Sequence, residues 1–131
     1  MVQGANKEQV APPDWPGSLP EFLVYQELLR RGLREGFDFT YQSKFMGGRL
    51  DKGGAVVDFL FFNPPDLAIN VQSEFFHYQT AELRTHDELQ RIALEGQGVT
   101  VIYIDESDIV KNVGVFVSEA LRLRDHSRAV K

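Results

Sequence analysis

The 131-residue sequence contains no cysteine, and this absence excludes disulfide bonds and thiolate ligands for a metal. Only oxygen and nitrogen atoms are then left to coordinate a metal ion. The sequence also lacks a run of about 18 apolar residues, the length that a membrane-spanning helix needs. Its first residues, MVQGANKEQV, lack the charged and then apolar pattern of a signal peptide. We therefore expect a cytoplasmic protein that does not associate with a membrane.

Basic residues are fewer than acidic ones: 14 Lys and Arg stand against 19 Asp and Glu, for a net charge of −5. Because Lys and Arg make the contacts to phosphate groups, this balance weighs against a nucleic-acid partner. A local basic patch can outweigh the net charge, however, and catalytic carboxylates would themselves add to the acidic total. The charge therefore leaves nucleic acid open as a partner.

The length and composition are those of one globular domain, with 43% hydrophobic and 25% charged residues. Residues 1–17 include Pro12, Pro13 and Pro16 and are expected to form an extended N-terminal arm. Residues 18–131 are expected to form a single folded domain.

Local patterns predict an α/β fold with a mixed β-sheet flanked by helices, in two or three layers. The SLPE sequence that begins at Ser18 is a capping box, in which the Ser18 hydroxyl and the Glu21 carboxylate satisfy backbone amides at a helix start. Apolar residues three and four apart predict helices, and alternating or continuous apolar runs predict strands. In chain order α-β-β-β-α-β-α, the predicted elements are a helix from Ser18, strands at 37–42, 55–62 and 67–72, a helix at 83–95, a strand at 99–104 and a helix at 110–124.

Two connections predict how these strands pair. The NPPD turn at residues 63–66 predicts that the second and third strands are antiparallel. The helix between the third and fourth strands predicts that these two are parallel. Across the turn, the expected register brings Val71, Gln72 and Ser73 to about the level of Asp58.

Polar residues interrupt the two central strands, and each has a structural and a functional interpretation. Asp58 lies within the apolar run AVVDFLFF, where a carboxylate costs several kcal/mol to bury unless it has a partner or a cation. It either accepts hydrogen bonds at a strand end or serves a site. Gln72 could close its strand with a hydrogen bond, and His77 could be a core residue among aromatic side chains. Asp87 could be an exposed acid at a helix start, and Glu74 either an exposed residue or a further carboxylate of a site.

Taken together, several motifs resemble the PD-(D/E)XK restriction-endonuclease-like superfamily. They are a first helix carrying Glu21, the VVDF sequence at Asp58, INVQSEFFHY at 69–78, a helix that opens with Asp87, and GVTVIYIDE at 98–106. The chain is most similar to the branch that contains the very-short-patch repair endonucleases and the EDxHD phage homing endonucleases. The resemblance covers residues 18–122, and it implies a restriction-endonuclease-like core.

The resemblance also implies roles for individual residues. Asp58 and the carbonyl of Val71 correspond to ligands of a divalent metal, Mg²⁺ or in its place Mn²⁺, and Glu21 corresponds to the glutamate that holds a metal-bound water. Gln72 stands where the family has an acidic residue or a histidine. His77 matches the histidine that acts as a general base or stabilises the phosphate, and Asp87 matches the acid that orients it. The sequence departs from (D/E)XK at residues 70–72, which are Asn, Val and Gln.

The departure favours one-metal chemistry assisted by histidine. We expect a metal-dependent DNA endonuclease or nickase in a bacterial or phage-infected cell, acting as a homodimer or fused to a DNA-recognition module. The alternative is an inactive protein of the same fold that acts in nucleic-acid binding or assembly. The expected DNA contacts, each of which could equally belong to a solvated charged face, are Lys44, Arg49, Lys52 and Arg84.

Overall fold

The computed structural model describes residues 10–45, 55–73 and 81–128, and within these ranges the side chains at positions 43–45, 55–56, 81–84 and 86–87 stay outside the description. No helix in these ranges is both long enough and apolar enough to cross a membrane. The described elements are α1 (Leu19–Arg30), β1 (Phe39–Phe45), β2 (Ala55–Phe61), β3 (Leu67–Gln72), α2 (Ala81–Glu95), β4 (Thr100–Asp105) and α3 (Glu106–Leu121).

The strands described form one mixed sheet in the order β1-β2-β3-β4. β1 pairs with β2 and β2 with β3 in antiparallel fashion, whereas β3 and β4 are parallel and joined by α2. The predicted element order, the antiparallel hairpin and the parallel crossover are therefore confirmed. The protein is an α/β protein.

Helices cover both faces of the sheet, so the layers number three. On one face, α1 and α3 pack on a cluster that contains Leu28, Phe39, Phe59, Ile69 and Val117. On the other face, α2 packs on a smaller cluster that contains Val57, Ala68, Leu94, Val101 and Tyr103. Because residues of β3 and β4 alternate between the two clusters, both faces of the central strands are buried.

Several element boundaries differ from the prediction by one to four residues, and three of the differences have a clear physical reason. β1 begins at Phe39 because Phe37 lies in a turn, 68% exposed, with the Arg34 guanidinium 4.5 Å from its ring centroid. β2 ends before Phe62, whose backbone N–H donates to the Asp38 carbonyl at 2.8 Å. α3 starts at Glu106 instead of Val110, since its first turn is polar and carries no apolar spacing that the sequence could show.

α3 also contains a kink at Asn112, where the backbone leaves the helical conformation (φ −164°, ψ 85°). The Asn112 side chain accepts the N–H of Val115 at 3.1 Å, as a capping residue does at the start of a helix. The element is thus two helical segments joined at Asn112.

The start of α1 gives a first testable prediction. Ser18 caps the helix, and its Oγ accepts the N–H of Glu21 at 3.2 Å. Ser18→Ala removes this acceptor and is expected to lower the free energy of unfolding by about 1 kcal/mol, whereas Ser18→Asp keeps an acceptor and should stay close to the parent. Urea denaturation of the three proteins measures the difference. Equal losses in both variants would contradict the capping role.

Candidate functional site

β2 and β3 stop pairing through their main chains at Asp58. Their last ladder pair in this direction joins Phe59 to Ile69. Beyond it, the Asp58 N–H donates to Oδ1 of Asn70 at 2.8 Å, and the Val71 N–H donates to Oδ2 of Asp58 at 2.8 Å. Two side chains thus replace the hydrogen bonds that the ladder would have made. We call this place, defined by Asp58, Asn70 and Val71, the strand fork.

Each strand keeps its outer partner past the strand fork. β2 stays paired with β1 as far as Ala55, and β3 stays paired with β4 as far as Gln72. Side-chain to main-chain bonds therefore hold the inner edges of β2 and β3 where direct pairing between them has ended.

The backbone around Asp58 is irregular in both strands of the β1–β2 pair. Gln42, which the register places opposite Asp58, has a φ of 56° in the left-handed region that residues other than glycine seldom adopt. In a regular strand, residues two apart lie on the same face. Here Val57 belongs to the cluster under α2 and Phe59 to the cluster under α1 and α3. Irregularities of this kind redirect a side chain, and they are frequent beside active sites.

A second carboxylate, that of Glu21 on α1, approaches from the helix layer. Its Oε1 accepts the hydroxyl of Tyr41, and the Gln42 side-chain amide donates to the same hydroxyl at 3.1 Å. Burial raises the pKa of Tyr41, and the hydrogen bond to Glu21 and the charges of Glu21 and Asp58 raise it further. The Tyr41 phenol therefore stays protonated and donates to Glu21 at any physiological pH.

The Asp58 carboxyl group is half-buried and lies in an unfavourable electrostatic position. Burial, and after it the negative charge of Glu21, raise the pKa of Asp58 to about 7, although the hydrogen bond from the Val71 N–H acts in the opposite direction. A raised pKa in a carboxylate pair is a frequent property of functional sites. A bound cation or a proton would relieve the repulsion between Asp58 and Glu21.

The donor atoms at the strand fork fit a hard divalent cation. The Asp58 carboxylate can coordinate directly. In strand geometry a residue's C=O faces the same neighbour as its N–H, so the Val71 carbonyl also faces β2. Glu21 supplies a second carboxylate. Mg²⁺ and Mn²⁺ prefer such oxygen donors, and Mg²⁺ commonly keeps several waters. Within the described ranges no three His, Asp or Glu side chains cluster as metal ligands, so these groups would form a site with few protein ligands.

The register places Asn70, and not Gln72, level with Asp58, and the predicted register was wrong in this respect. One reason is the turn: Phe62 belongs to it, so Phe61 pairs with Leu67 and each residue of β3 lies one position farther from the turn, relative to β2, than it would if Phe62 paired. Gln72 is 2% exposed and aligns with Asp105 of β4. Val71, by contrast, does contact Asp58 as expected.

Several residues with predicted roles lie outside the described part of the chain. This applies to His77 and Glu74, and to Arg49 and Lys52 among the predicted DNA contacts. Lys44 in β1, and Arg84 and Asp87 in α2, lie in described elements, but their side chains are not described. Their roles stay predictions.

Two residues of the site were missed as functional candidates. Tyr41 belongs to an alternating pattern that indicates only a half-buried strand, and its contact with Glu21 spans 20 positions, so no local signal shows it. Asn70 did carry a sequence signal, because it is a polar residue within an apolar strand. In the structure it is buried, with 8% of its surface exposed. An amide at such a place usually satisfies a backbone group, as Asn70 does for Asp58.

The fold and the site together define an α/β protein with a pair of carboxylates where two central strands separate. Comparison of the chain with protein-family models, curated proteins and solved structures gave no match in any of the three.

Proposed function

We propose that the protein is a divalent-metal-dependent DNA endonuclease or nickase with a restriction-endonuclease-like core, which hydrolyses phosphodiester bonds. The observation that carries the proposal is the strand fork. There a carboxylate whose pKa is raised to about 7 stands beside a second carboxylate and a backbone carbonyl. Phosphodiester hydrolysis needs a cation next to the scissile phosphate, and this arrangement of oxygen donors favours cation binding.

In this proposal the bound metal ion supplies Lewis acidity toward the phosphate and lowers the pKa of a water. Asp58 and the Val71 carbonyl hold the ion, and Glu21 accepts a hydrogen bond from a water at the site. The Val71 N–H orients one oxygen of Asp58 at 2.8 Å, which leaves the other oxygen for the ion. His77 moves a proton or stabilises the phosphate, and Asp87 orients His77.

The substrate proposed is DNA, contacted through Lys44, Arg49, Lys52 and Arg84. Another basic residue, Arg91 of α2, already has partners: it donates to Glu88 at 2.5 Å, and its guanidinium lies 5.6 Å from the centroid of the Tyr103 ring. Arg91 is therefore not included among the DNA contacts. The protein would act as a homodimer or together with a DNA-recognition module, in the cytoplasm of a bacterial or phage-infected cell.

The second candidate is an inactive protein of the same fold that binds nucleic acid or takes part in an assembly. One observation favours it: the residues that replace (D/E)XK have structural roles here. Asn70 is bonded to the Asp58 backbone, and Gln72 is buried in register with Asp105. Neither adds a charge to the site.

Cleavage of supercoiled plasmid separates the two candidates. The parent protein is expected to nick or linearise the plasmid with Mg²⁺ or Mn²⁺ and to stop when EDTA is added. His77→Ala is expected to reduce the rate by about 10²-fold, the usual contribution of a group that transfers a proton. His126→Ala is the matched control, since His126 contacts Glu119 at 2.8 Å near the C-terminal end of α3. The absence of metal-dependent cleavage by the parent would favour the inactive protein, and equal rates in the parent and His77→Ala would remove His77 from the site.

A further inference from the structure

Tyr41 links the N-terminal segment, α1 and the strand fork. Its hydroxyl donates to Oε1 of Glu21 and accepts from the Gln42 amide at 3.1 Å. Its ring stacks on Trp15, with centroids 4.7 Å apart and planes 26° apart, and lies 5.1 Å from the ring of Phe59. The ring is thus enclosed from two sides, and the hydroxyl has little freedom to leave Glu21.

Gly17 makes this arrangement sterically possible. A β-carbon added at Gly17 would overlap the Tyr41 hydroxyl oxygen and would lie 2.5 Å from Oε1 of Glu21. Both approaches are far closer than van der Waals contact, so either side chain would have to move. The backbone of the N-terminal segment therefore packs directly against the Tyr41–Glu21 hydrogen bond, and Trp15 anchors that segment through its indole N–H, which donates to the Ser18 carbonyl at 3.1 Å.

The hydrogen bond restrains a side chain that would otherwise be mobile. A glutamate on a helix surface has three rotatable bonds, and ordering it costs conformational entropy each time it must bind something. Because Tyr41 holds one carboxylate oxygen, this cost is met during folding. The bond limits the conformations open to the carboxylate as a whole, and the charge of this carboxylate acts on Asp58.

We propose that Tyr41 is a positioning residue for the metal site: it holds Glu21 beside Asp58, and the close approach of Gly17 keeps it there. The inference rests on the proposed function, because it assigns Tyr41 a role in metal binding. It predicts that loss of the Tyr41 hydroxyl weakens metal binding more than it slows the reaction at saturating metal.

The test uses Tyr41→Phe, with Tyr25→Phe as its matched control. The Tyr25 ring lies 6.1 Å from the Tyr41 ring and its hydroxyl also donates to a glutamate, Glu35, at 2.7 Å, but among the described residues the Tyr25 hydroxyl has its hydrogen bond with Glu35 and not with Glu21 or Asp58. Mn²⁺ binding is measured by calorimetry, and plasmid nicking is measured over a range of Mn²⁺ concentrations. Tyr41→Phe is expected to raise the dissociation constant for Mn²⁺ about tenfold, the usual effect of losing one hydrogen bond to a charged group. The nicking rate at saturating Mn²⁺ should change less than about threefold.

A second variant tests the same Tyr41–Glu21 hydrogen bond through a substitution at Gly17. Gly17→Ala leaves Tyr41 and Glu21 chemically intact but displaces the hydroxyl, so it should weaken Mn²⁺ binding in the same direction. Its control is Gly96→Ala, where an added β-carbon meets its nearest neighbours at an ordinary 3.4 Å. Thermal melting of each variant verifies that it is folded.

The outcomes distinguish the positioning role of Tyr41 from the proposed endonuclease function. Weaker Mn²⁺ binding in Tyr41→Phe and Gly17→Ala, with both controls like the parent, supports the positioning role. If the parent binds Mn²⁺ and nicks plasmid while Tyr41→Phe matches it in both, the role of Tyr41 is overturned and the proposed function stands. If the parent neither binds Mn²⁺ nor nicks plasmid, the proposed function fails, and the metal-positioning role of Tyr41 fails with it.

Discussion

Asp58→Asn is expected to lower the rate of Mg²⁺-dependent plasmid nicking by at least about 10³-fold while the protein stays folded. The loss follows from charge: an amide oxygen is a much weaker ligand for a hard cation than a carboxylate is. Asparagine has nearly the shape of aspartate, so the site keeps its geometry and loses the negative charge that we propose binds the ion.

The choice of asparagine preserves the fold at the strand fork. Its amide oxygen can accept the Val71 N–H as Oδ2 of Asp58 does at 2.8 Å, and the Asp58 N–H keeps its acceptor on Asn70. An alanine at this position would instead leave the Val71 N–H without its acceptor, at a cost of about 1–3 kcal/mol. Loss of nicking in Asp58→Asn thus reports chemistry and not unfolding.

Asp38→Asn is the matched control. Asp38 also accepts a backbone N–H, that of Arg34 at 2.8 Å, and it contacts Asn63 at the turn that joins β2 to β3. The same substitution there is expected to leave nicking unchanged. Equal nicking by the parent and both variants would show that Asp58 has no role in the reaction.

The second large effect is on stability. We compare the free energy of unfolding of the parent with that of Asp58→Asn in metal-free buffer with EDTA. The value for the parent is expected to fall relative to that of the variant as the pH rises from about 4 to about 7. The sign follows from the pKa: Asp58 titrates near 3.8 when unfolded and at about 7 when folded, so the folded protein binds more protons between these values. The stabilising contribution is complete below the lower value and is lost as the pH passes the higher one.

The loss of stability that the ionisation of Asp58 causes has an upper limit. At about 1.4 kcal/mol for each pH unit, the interval between the two pKa values gives a loss of up to about 4 kcal/mol. Asp38, Glu27 and Glu119 have lowered pKa values and act with the opposite sign. Because those groups are the same in both proteins, the difference between the parent and Asp58→Asn isolates Asp58.

Urea denaturation at pH 5 and pH 8 measures this difference. The free energy of unfolding of Asp58→Asn, relative to that of the parent, should be higher at pH 8 than at pH 5. Addition of Mg²⁺ at pH 8 should restore part of the parent's stability, because a ligand that binds only the folded state stabilises it. A difference between the two proteins that stays constant with pH would mean that Asp58 ionises normally in the fold.

The sequence predicted those features that depend on local patterns. Ser18 opens α1 through its own hydroxyl, and the apolar spacing of α2 and the β-branched run of β4 mark these elements. The parallel pairing of β3 and β4 followed from the intervening helix. Asp58 was noticed because a carboxylate in an apolar strand is costly.

Features that depend on distant contacts could not be predicted. The place of Phe62 in the turn shifted the register and put Asn70 where Gln72 was expected. The Tyr41–Glu21 bond joins two elements whose relative position only the packed core determines. A sequence pattern carries no information on either, because each depends on how separate elements meet in space.

Calorimetric titration of Mn²⁺ into the parent and Asp58→Asn at pH 7.5 tests the central claim, that the strand fork binds a divalent cation through Asp58. We expect a bound ion in the parent and an affinity at least about 100-fold lower in the variant, since the variant lacks the ligand's charge. Equal affinities in the two proteins, or no binding to the parent, would contradict it.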